Sequence, residues 1–290
     1  MKILLTGGNG QVGWELRRTL ACLGEVVALD SKALDLTDVT AIRRVVREVA
    51  PRILVNSAAH TAVDRAESEA DLAHAVNATA PGILALEAEK LGALLVHYST
   101  DYVFAGSGES PWREDDATGP LNVYGASKLA GERAIQATCQ RHLIFRTSWV
   151  YGGRGTNFLL TMRRLMRERQ ELKIVADQMG APTWSRMLAE ATALILAQQS
   201  SPTRGADRPD PWGVYHMSNA GETSWHGFAA AIQAIDGEVS GARLLPISSD
   251  GYPTPATRPL NSRLNNDKLA RVFGVKLPDW RQSLALCLQG

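Results

Sequence analysis

Tyr124 and Lys128 stand four residues apart in a segment, 126–137, made of good helix formers. That spacing puts both side chains on one helical face, where they can address one ligand. A phenol with a reference pKa near ~10 is a weak acid at neutral pH, and a lysine ammonium one turn away favours the phenolate and lowers that value. A tyrosine tuned in this way can pass a proton to a carbonyl oxygen while hydride reaches the carbon. Thr100, at the end of an apolar run reaching Ser99, would give the same oxygen a second hydrogen bond. An exposed Tyr and Lys on an ordinary helix have the same spacing, so the surrounding elements decide.

The chain opens with a short apolar run, 2–5, followed by Thr6-Gly7-Gly8-Asn9-Gly10-Gln11-Val12-Gly13 and a helical pattern from Trp14. Strand, glycine-rich turn and helix form the context of a dinucleotide fingerprint, here spaced G-x-x-G-x-x-G. Gly7 permits the tight turn, Gly10 admits a pyrophosphate to the backbone, and Gly13 lets helix and strand pack closely. A second strand, 25–29, ends at Asp30, whose carboxylate suits the ribose hydroxyls of NADH. Ser31 and Lys32 beside it could receive the 2′-phosphate of NADPH, so both cofactors stay open. Asp35, Leu36, Thr37 and Asp38 cap a helix over 39–49 and border the adenine ring.

A third buried strand, 53–56, runs into small residues and His60. Small residues there let the nicotinamide ribose lie against the backbone. His60 is assigned hydrogen bonding rather than acid catalysis, since Tyr124 already fills that role. A single long helical region is expected over 67–91, with Asn77 inside it holding a water or a carbonyl. After a strand at 143–146, Trp149 sits where a ligand-stacking aromatic would be placed; a core tryptophan is the alternative. The proline-rich stretch from Tyr252 to Pro259 carries Arg258, which with Arg263 can receive a diphosphate or simply be solvated. The organisation expected is α/β, a Rossmann-type doubly wound parallel sheet over 1–156 with a smaller C-terminal α/β substrate lobe over 157–290, some of whose segments return to the first domain.

With 45% hydrophobic and 21% charged residues, the 290-residue chain has the composition of a soluble globular protein. A net charge of +1 offers no electrostatic case for nucleic acid or an anionic membrane. Cys22, Cys139 and Cys287 are widely spaced and read as reduced packing residues of a cytoplasmic protein. No apolar stretch is long enough to span a bilayer.

Taken together, Thr-Gly-Gly-Asn-Gly-Gln-Val-Gly, Ala59-His60-Thr61-Ala62-Val63-Asp64, His97 to Phe104, Asn122-Val123-Tyr124-Gly125, Arg146 to Tyr151, Ala181-Pro182-Thr183 and the Tyr252 to Pro259 stretch resemble the extended short-chain dehydrogenase/reductases. Within them the resemblance is to the family that reduces the C4 keto group of a dTDP-linked 4-keto-6-deoxyhexose, and it covers nearly the whole chain. It implies catalysis by Tyr124, Lys128 and Thr100. It also implies cofactor contacts from Gly10, Gln11, Val12, Asp30, Asp35, Leu36, Ala59, His60, Thr61, Tyr124 and Lys128. Thr100, Asp101 and Trp149 would border the sugar nucleotide. NADPH is the usual cofactor of that family, NADH an occasional one, and Mg²⁺ serves some members at a dimer contact, for which Glu15 is a conceivable ligand. A monomer or a homodimer fits equally. Sugar-nucleotide dehydratases carry a glutamate where this chain has Tyr102, epimerases share the Tyr and Lys, and a regulatory subunit like the β subunit of methionine adenosyltransferase keeps the fold without turnover.

Overall fold

In the computed structural model the described residues are 1–200, 210–237 and 241–289. The stretch 200–211, read from its composition as an exposed loop, falls outside them over 201–209. Five strands begin the architecture: β1 (Lys2–Thr6), β2 (Glu25–Leu29), β3 (Ile53–Asn56), β4 (Leu94–Thr100) and β5 (His142–Thr147). They pair in parallel in the order 2-1-3-4-5, and Gly213–His216 from the later part of the chain joins beyond β5. That order reverses between β1 and β3. Ligands of open α/β sheets bind at such a reversal, beyond the carboxyl ends of the strands.

Strand side chains alternate between faces, and the two faces are buried against different helices. Ile3, Leu5, Val55, Val96 and Phe145 meet Leu16 of α1 (Gln11–Thr19) together with Leu188 and Ile195 from the helix Ser185–Ser200. On the other face Leu4, Leu54, Leu95 and Ile144 meet Ile42 and Val46 of α2 (Val39–Val49), Leu84, and Ile135. Beyond the sheet, Tyr151, Leu159, Met162, Phe228, Ile232 and the fully buried Trp280 form a separate apolar core. It packs under a parallel pair of strands, Glu171–Val175 and Arg243–Ile247. No described helix is long and apolar enough to cross a membrane.

The single helix expected over 67–91 is broken. Val63–Ala66 and Ala70–His74 are short helices, Ala75–Thr79 is a π-helical turn, and Ala80–Leu91 completes the series with a proline in its first turn. The wider turn brings the Asn77 amide onto the chain at His60, accepting from its N–H at 2.9 Å and donating to its carbonyl at 3.0 Å. The expected carbonyl partner of Asn77 is therefore His60's own. π-turns of this kind often mark functional positions, and here the bulge pins the loop after β3.

The helix predicted over 126–137 begins earlier and spans Val123–Thr138. The Asn122 side chain caps it, accepting from the Gly125 N–H at 2.8 Å, so Tyr124 lies in the first turn. Two turns further on, Glu132 receives Arg146 of β5 through hydrogen bonds of 2.9 and 2.7 Å, both side chains being buried. The pair joins the helix to the sheet. Removing one partner of a buried ion pair strands the other charge and costs about 3–5 kcal/mol, while an apolar replacement of both is far milder. In urea denaturation Glu132→Gln is therefore expected to lose stability on that scale and Glu132→Leu/Arg146→Met to recover at least half of it; single variants within about 1 kcal/mol of the parent would remove the pair from this role.

Candidate active site

The glycine turn, the loop carrying His60, and Thr100 stand at the carboxyl ends of β1, β3 and β4. At the first turn, Gly7 has a positive φ of 73°, and a side chain there would stand 2.6 Å from the Ala58 nitrogen. A Cβ on Gly13 would lie 2.1 Å from the Gly7 carbonyl oxygen, which already accepts the Gly10 N–H at 2.9 Å. Backbone can close this tightly only on glycine. Gly10 is the N-cap of α1 and gives it no side-chain cap, so the first-turn N–H groups are offered to a phosphate. These features fit a dinucleotide's pyrophosphate. Gln11 accepts from the Asn157 amide at 2.9 Å, and Val12 packs into the sheet core.

At the end of β2 the Asp30 carboxylate accepts from the Asn9 amide at 2.6 Å and from the Lys32 and Ala33 N–H groups at 3.0 Å each. Ser31 and Lys32 remain exposed beside it. Asp35 turns back on Thr37, accepting from its N–H and hydroxyl at 2.8 Å, which holds the carboxyl below the usual range. The cap of α2 is Asp38 alone, accepting from Ala41 N–H at 2.9 Å. Leu36 is buried beneath. After β3 come Ala59, His60 and the exposed Thr61; the His60 ring meets Glu69 at 3.0 Å rather than any reacting group.

Thr100 closes β4 and is 5% exposed. Its hydroxyl donates to Asp101 at 3.0 Å and accepts the Tyr102 N–H at 3.1 Å. Asp101 is also buried, and burial brings its carboxyl up to about 7 against the opposing Ser262 and Thr100 hydroxyls. The Tyr124 phenol comes to the Thr100 side chain, with the Tyr102 ring edge-on at 5.7 Å and 76°. Burial pushes the phenol well above its ordinary value, and the Thr100 hydroxyl opposes the rise only partly.

That corrects one expectation. Lys128 does not acidify the phenol here: its Nζ donates to the Tyr98 carbonyl at 2.6 Å and faces His97 Nε2 at 3.2 Å. The amine, 2% exposed, is itself brought down to about 8 by burial, against the pull of Glu132. Tyr124 and Lys128 share the helix as predicted, yet desolvation sets the direction of the phenol's shift.

Around this centre Arg258 donates to Asp64 at 2.7 Å and reaches the Tyr102 hydroxyl at 3.3 Å. Arg263 pairs with Glu222 at 2.6 Å. Both arginines are thus anchored to carboxylates before any ligand arrives, and only Arg258 borders the tyrosines. Trp149 has φ 48°, a conformation costly for a bulky residue, and stacks at 3.6 Å on Trp225, which the sequence reading had not singled out. Gly180 makes room for it: a Cβ there would stand 2.7 Å from the indole. Tyr102, Asp64, His97 and Asn56 were likewise not assigned roles; their signal is only their position at strand ends or beside known motifs. Glu15 is paired with Arg18 at 3.0 Å and Arg186 at 3.4 Å, and among the described residues no group of three His, Cys, Asp or Glu is placed to hold a metal ion.

The comparisons with known proteins agree with this geometry. The family model described as RmlD substrate binding domain matches residues 1–290. The chain is 52% identical to the dTDP-4-dehydrorhamnose reductase of Burkholderia thailandensis, over 100% of this chain and 98% of that protein. It is 48% identical to that of Escherichia coli K12, over 97% and 95%. The crystal structure of such a reductase from Clostridium acetobutylicum superposes with a TM-score of 0.92 at 37% identity, covering 100% of this chain and 99% of that one. One from Bacillus anthracis in complex with NADP gives 0.91 at 35%, covering 99% and 98%. A fold that places Thr100, Tyr124 and Lys128 at the ends of a parallel sheet, a full-length match and this level of identity lead to one statement: the chain belongs to the RmlD substrate binding domain family, with dTDP-4-dehydrorhamnose reductases among its relatives.

Proposed function

We propose that the protein reduces the C4 keto group of dTDP-4-dehydro-L-rhamnose to give dTDP-L-rhamnose, with NADPH as the preferred cofactor. The observation that carries the reading is the approach of the Tyr124 phenol to Thr100 at the end of β4, beside a glycine turn shaped for a pyrophosphate. NADPH, when bound, supplies the hydride that reaches C4.

The chain's own residues supply the rest. Tyr124 gives its proton to the C4 oxygen as that oxygen takes up the electron pair of the breaking carbonyl π bond. A phenol whose proton is held tightly by burial is suited to protonating a strongly basic oxygen and unsuited to removing a proton from an alcohol. Thr100 is the second donor to that oxygen. Its hydroxyl now donates to Asp101 at 3.0 Å and would turn from that carboxyl to the substrate oxygen. Lys128 and the loop held by Asn77 bear the ribose half of the cofactor. Exposed Ser31 and Lys32, beside an Asp30 already satisfied by Asn9 and the backbone, support NADPH over NADH. Arg258 would hold the diphosphate, and Trp149 with Trp225 the flat parts of the ligand. A chain division at 156/157, with Gly213–His216 returning to the first sheet, accords with substrate entering between the two apolar cores.

Purified protein is expected to oxidise NADPH on addition of dTDP-4-dehydro-L-rhamnose, followed by loss of NADPH absorbance. No oxidation with either NADPH or NADH would refute the activity. Tyr124→Phe removes the donor and almost no volume, so kcat should fall about 100-fold or more while NADPH binding is kept. An unchanged kcat would take the proton from elsewhere. Arg258→Ala should raise KM with kcat largely retained, since it binds ground and transition states alike; an unaltered KM would contradict its diphosphate role.

A further inference from the structure

One stretch of chain runs from the strand Arg243–Ile247 across to the helix that carries Tyr124. It leaves the short turn Ser249–Gly251, where Ser249 donates its N–H and its hydroxyl to Asp177 at 2.8 and 2.7 Å. It is taken up again where the Asn261 N–H donates to the Gly106 carbonyl at 2.9 Å. Between these anchors residues 252–260 form a strap, which includes Arg258 and hydrogen-bonds to Asp64, Tyr102 and Asn122.

The attachments differ in kind. Asp64 accepts the Ala256 N–H at 3.3 Å and Arg258 at 2.7 Å. The two side chains of that ion pair are 39% and 26% exposed, and a pair open to water holds a long side chain weakly. A diphosphate would also compete with Asp64 for the same guanidinium. Asn122 is 7% exposed, and its Nδ2 donates at 2.8 Å to the backbone carbonyl of Thr257, a group that an anion does not bind.

Backbone fixes both ends of this amide. Asn122 Oδ1 accepts the Gly125 N–H at 2.8 Å, a group that can only donate, while the Thr257 carbonyl can only accept, so the NH₂ is turned to the strap. Capping alone does not call for asparagine, because Asp and Ser cap a helix about as well. A carboxylate has no donor for the strap, and a serine side chain ends one atom short of Nδ2.

We propose that Asn122 is a positioning residue for Arg258: by holding the Thr257 carbonyl to the N-terminus of the helix Val123–Thr138, it keeps the guanidinium of the next residue at a set spacing from the Tyr124 phenol. A sugar nucleotide has a fixed span between its diphosphate and C4, so the cation and the proton donor must keep the matching separation. The role of Arg258 rests on the reductase reading; the hydrogen bonds of the latch do not.

Asn122→Ser keeps a cap and removes the donor to the strap. The expected result is a Kd for dTDP, read by calorimetry, about fivefold or more above that of the parent, with faster amide exchange over 252–260 and unaltered exchange over 123–138. A Kd or a strap exchange rate unmoved in folded Asn122→Ser protein would overturn the proposal. Because Asn122 acts through Arg258, adding Asn122→Ser to Arg258→Ala should raise the dTDP Kd by less than about twofold further. A full further loss would give Asn122 a role of its own and overturn the proposal. Asn122→Asp also caps without a donor and carries the same test should the serine variant not fold; failure of both to fold would leave Asn122 a stability residue and overturn the proposal as well. Calorimetry needs no turnover, so a parent that binds dTDP but oxidises no NADPH would refute the reductase reading while the dTDP Kd values still decide the latch. A parent that does not bind dTDP would remove the role of Arg258 and this proposal with it.

Discussion

A helix that carries a tyrosine, a lysine and a glutamate into the interior must find a partner for each, because a buried polar group left unpaired costs about 1–3 kcal/mol and a charge more. The helix Val123–Thr138 meets this requirement entirely from neighbouring elements. Glu132 takes Arg146 of β5, Lys128 takes the Tyr98 carbonyl and His97 of β4, and Tyr124 comes to Thr100. Two hydrogen-bonded attachments one turn apart, at Lys128 and Glu132, fix the helix relative to the sheet. The phenol proposed as proton donor is therefore aligned with the strand tip by the same interactions that keep the helix in place.

The strand order supplies the other half. Its reversal between β1 and β3 opens a crevice, and the glycine turn, the Asn77-pinned loop and Thr100 stand around it. Burial gives that crevice its chemical direction. A phenol raised above its ordinary value keeps its proton until an oxygen of alkoxide character appears. That shift arises from removing water, and it favours donation to a developing oxyanion over abstraction from an alcohol.

The parts of this arrangement legible in the sequence were those set by local pattern. Continuous apolar runs marked β2 and β3, the cap and periodicity marked α2, and four-residue spacing placed Tyr124 and Lys128 on one face. What was not legible depends on distant partners. The break in the helix expected over 67–91 follows from the demand of Asn77 for the backbone at His60, which no local propensity contains. The acidified phenol failed as an expectation because spacing reveals that an ammonium is one turn away but not that a carbonyl and an imidazole have claimed it. Trp149 stood as either a ligand-stacking or a core residue, and no local pattern announced that Trp225, 76 positions later, stacks on it.

The central claim is that Tyr124 and Thr100 meet one substrate oxygen at the end of β4. A crystal structure of the protein with NADPH and dTDP-L-rhamnose measures this directly. The account predicts the Tyr124 hydroxyl and Thr100 Oγ1 both within hydrogen-bond reach, about 2.6–3.2 Å, of the sugar's O4. A bound sugar whose O4 faces any other donor, with Tyr124 turned out of the crevice, would contradict it.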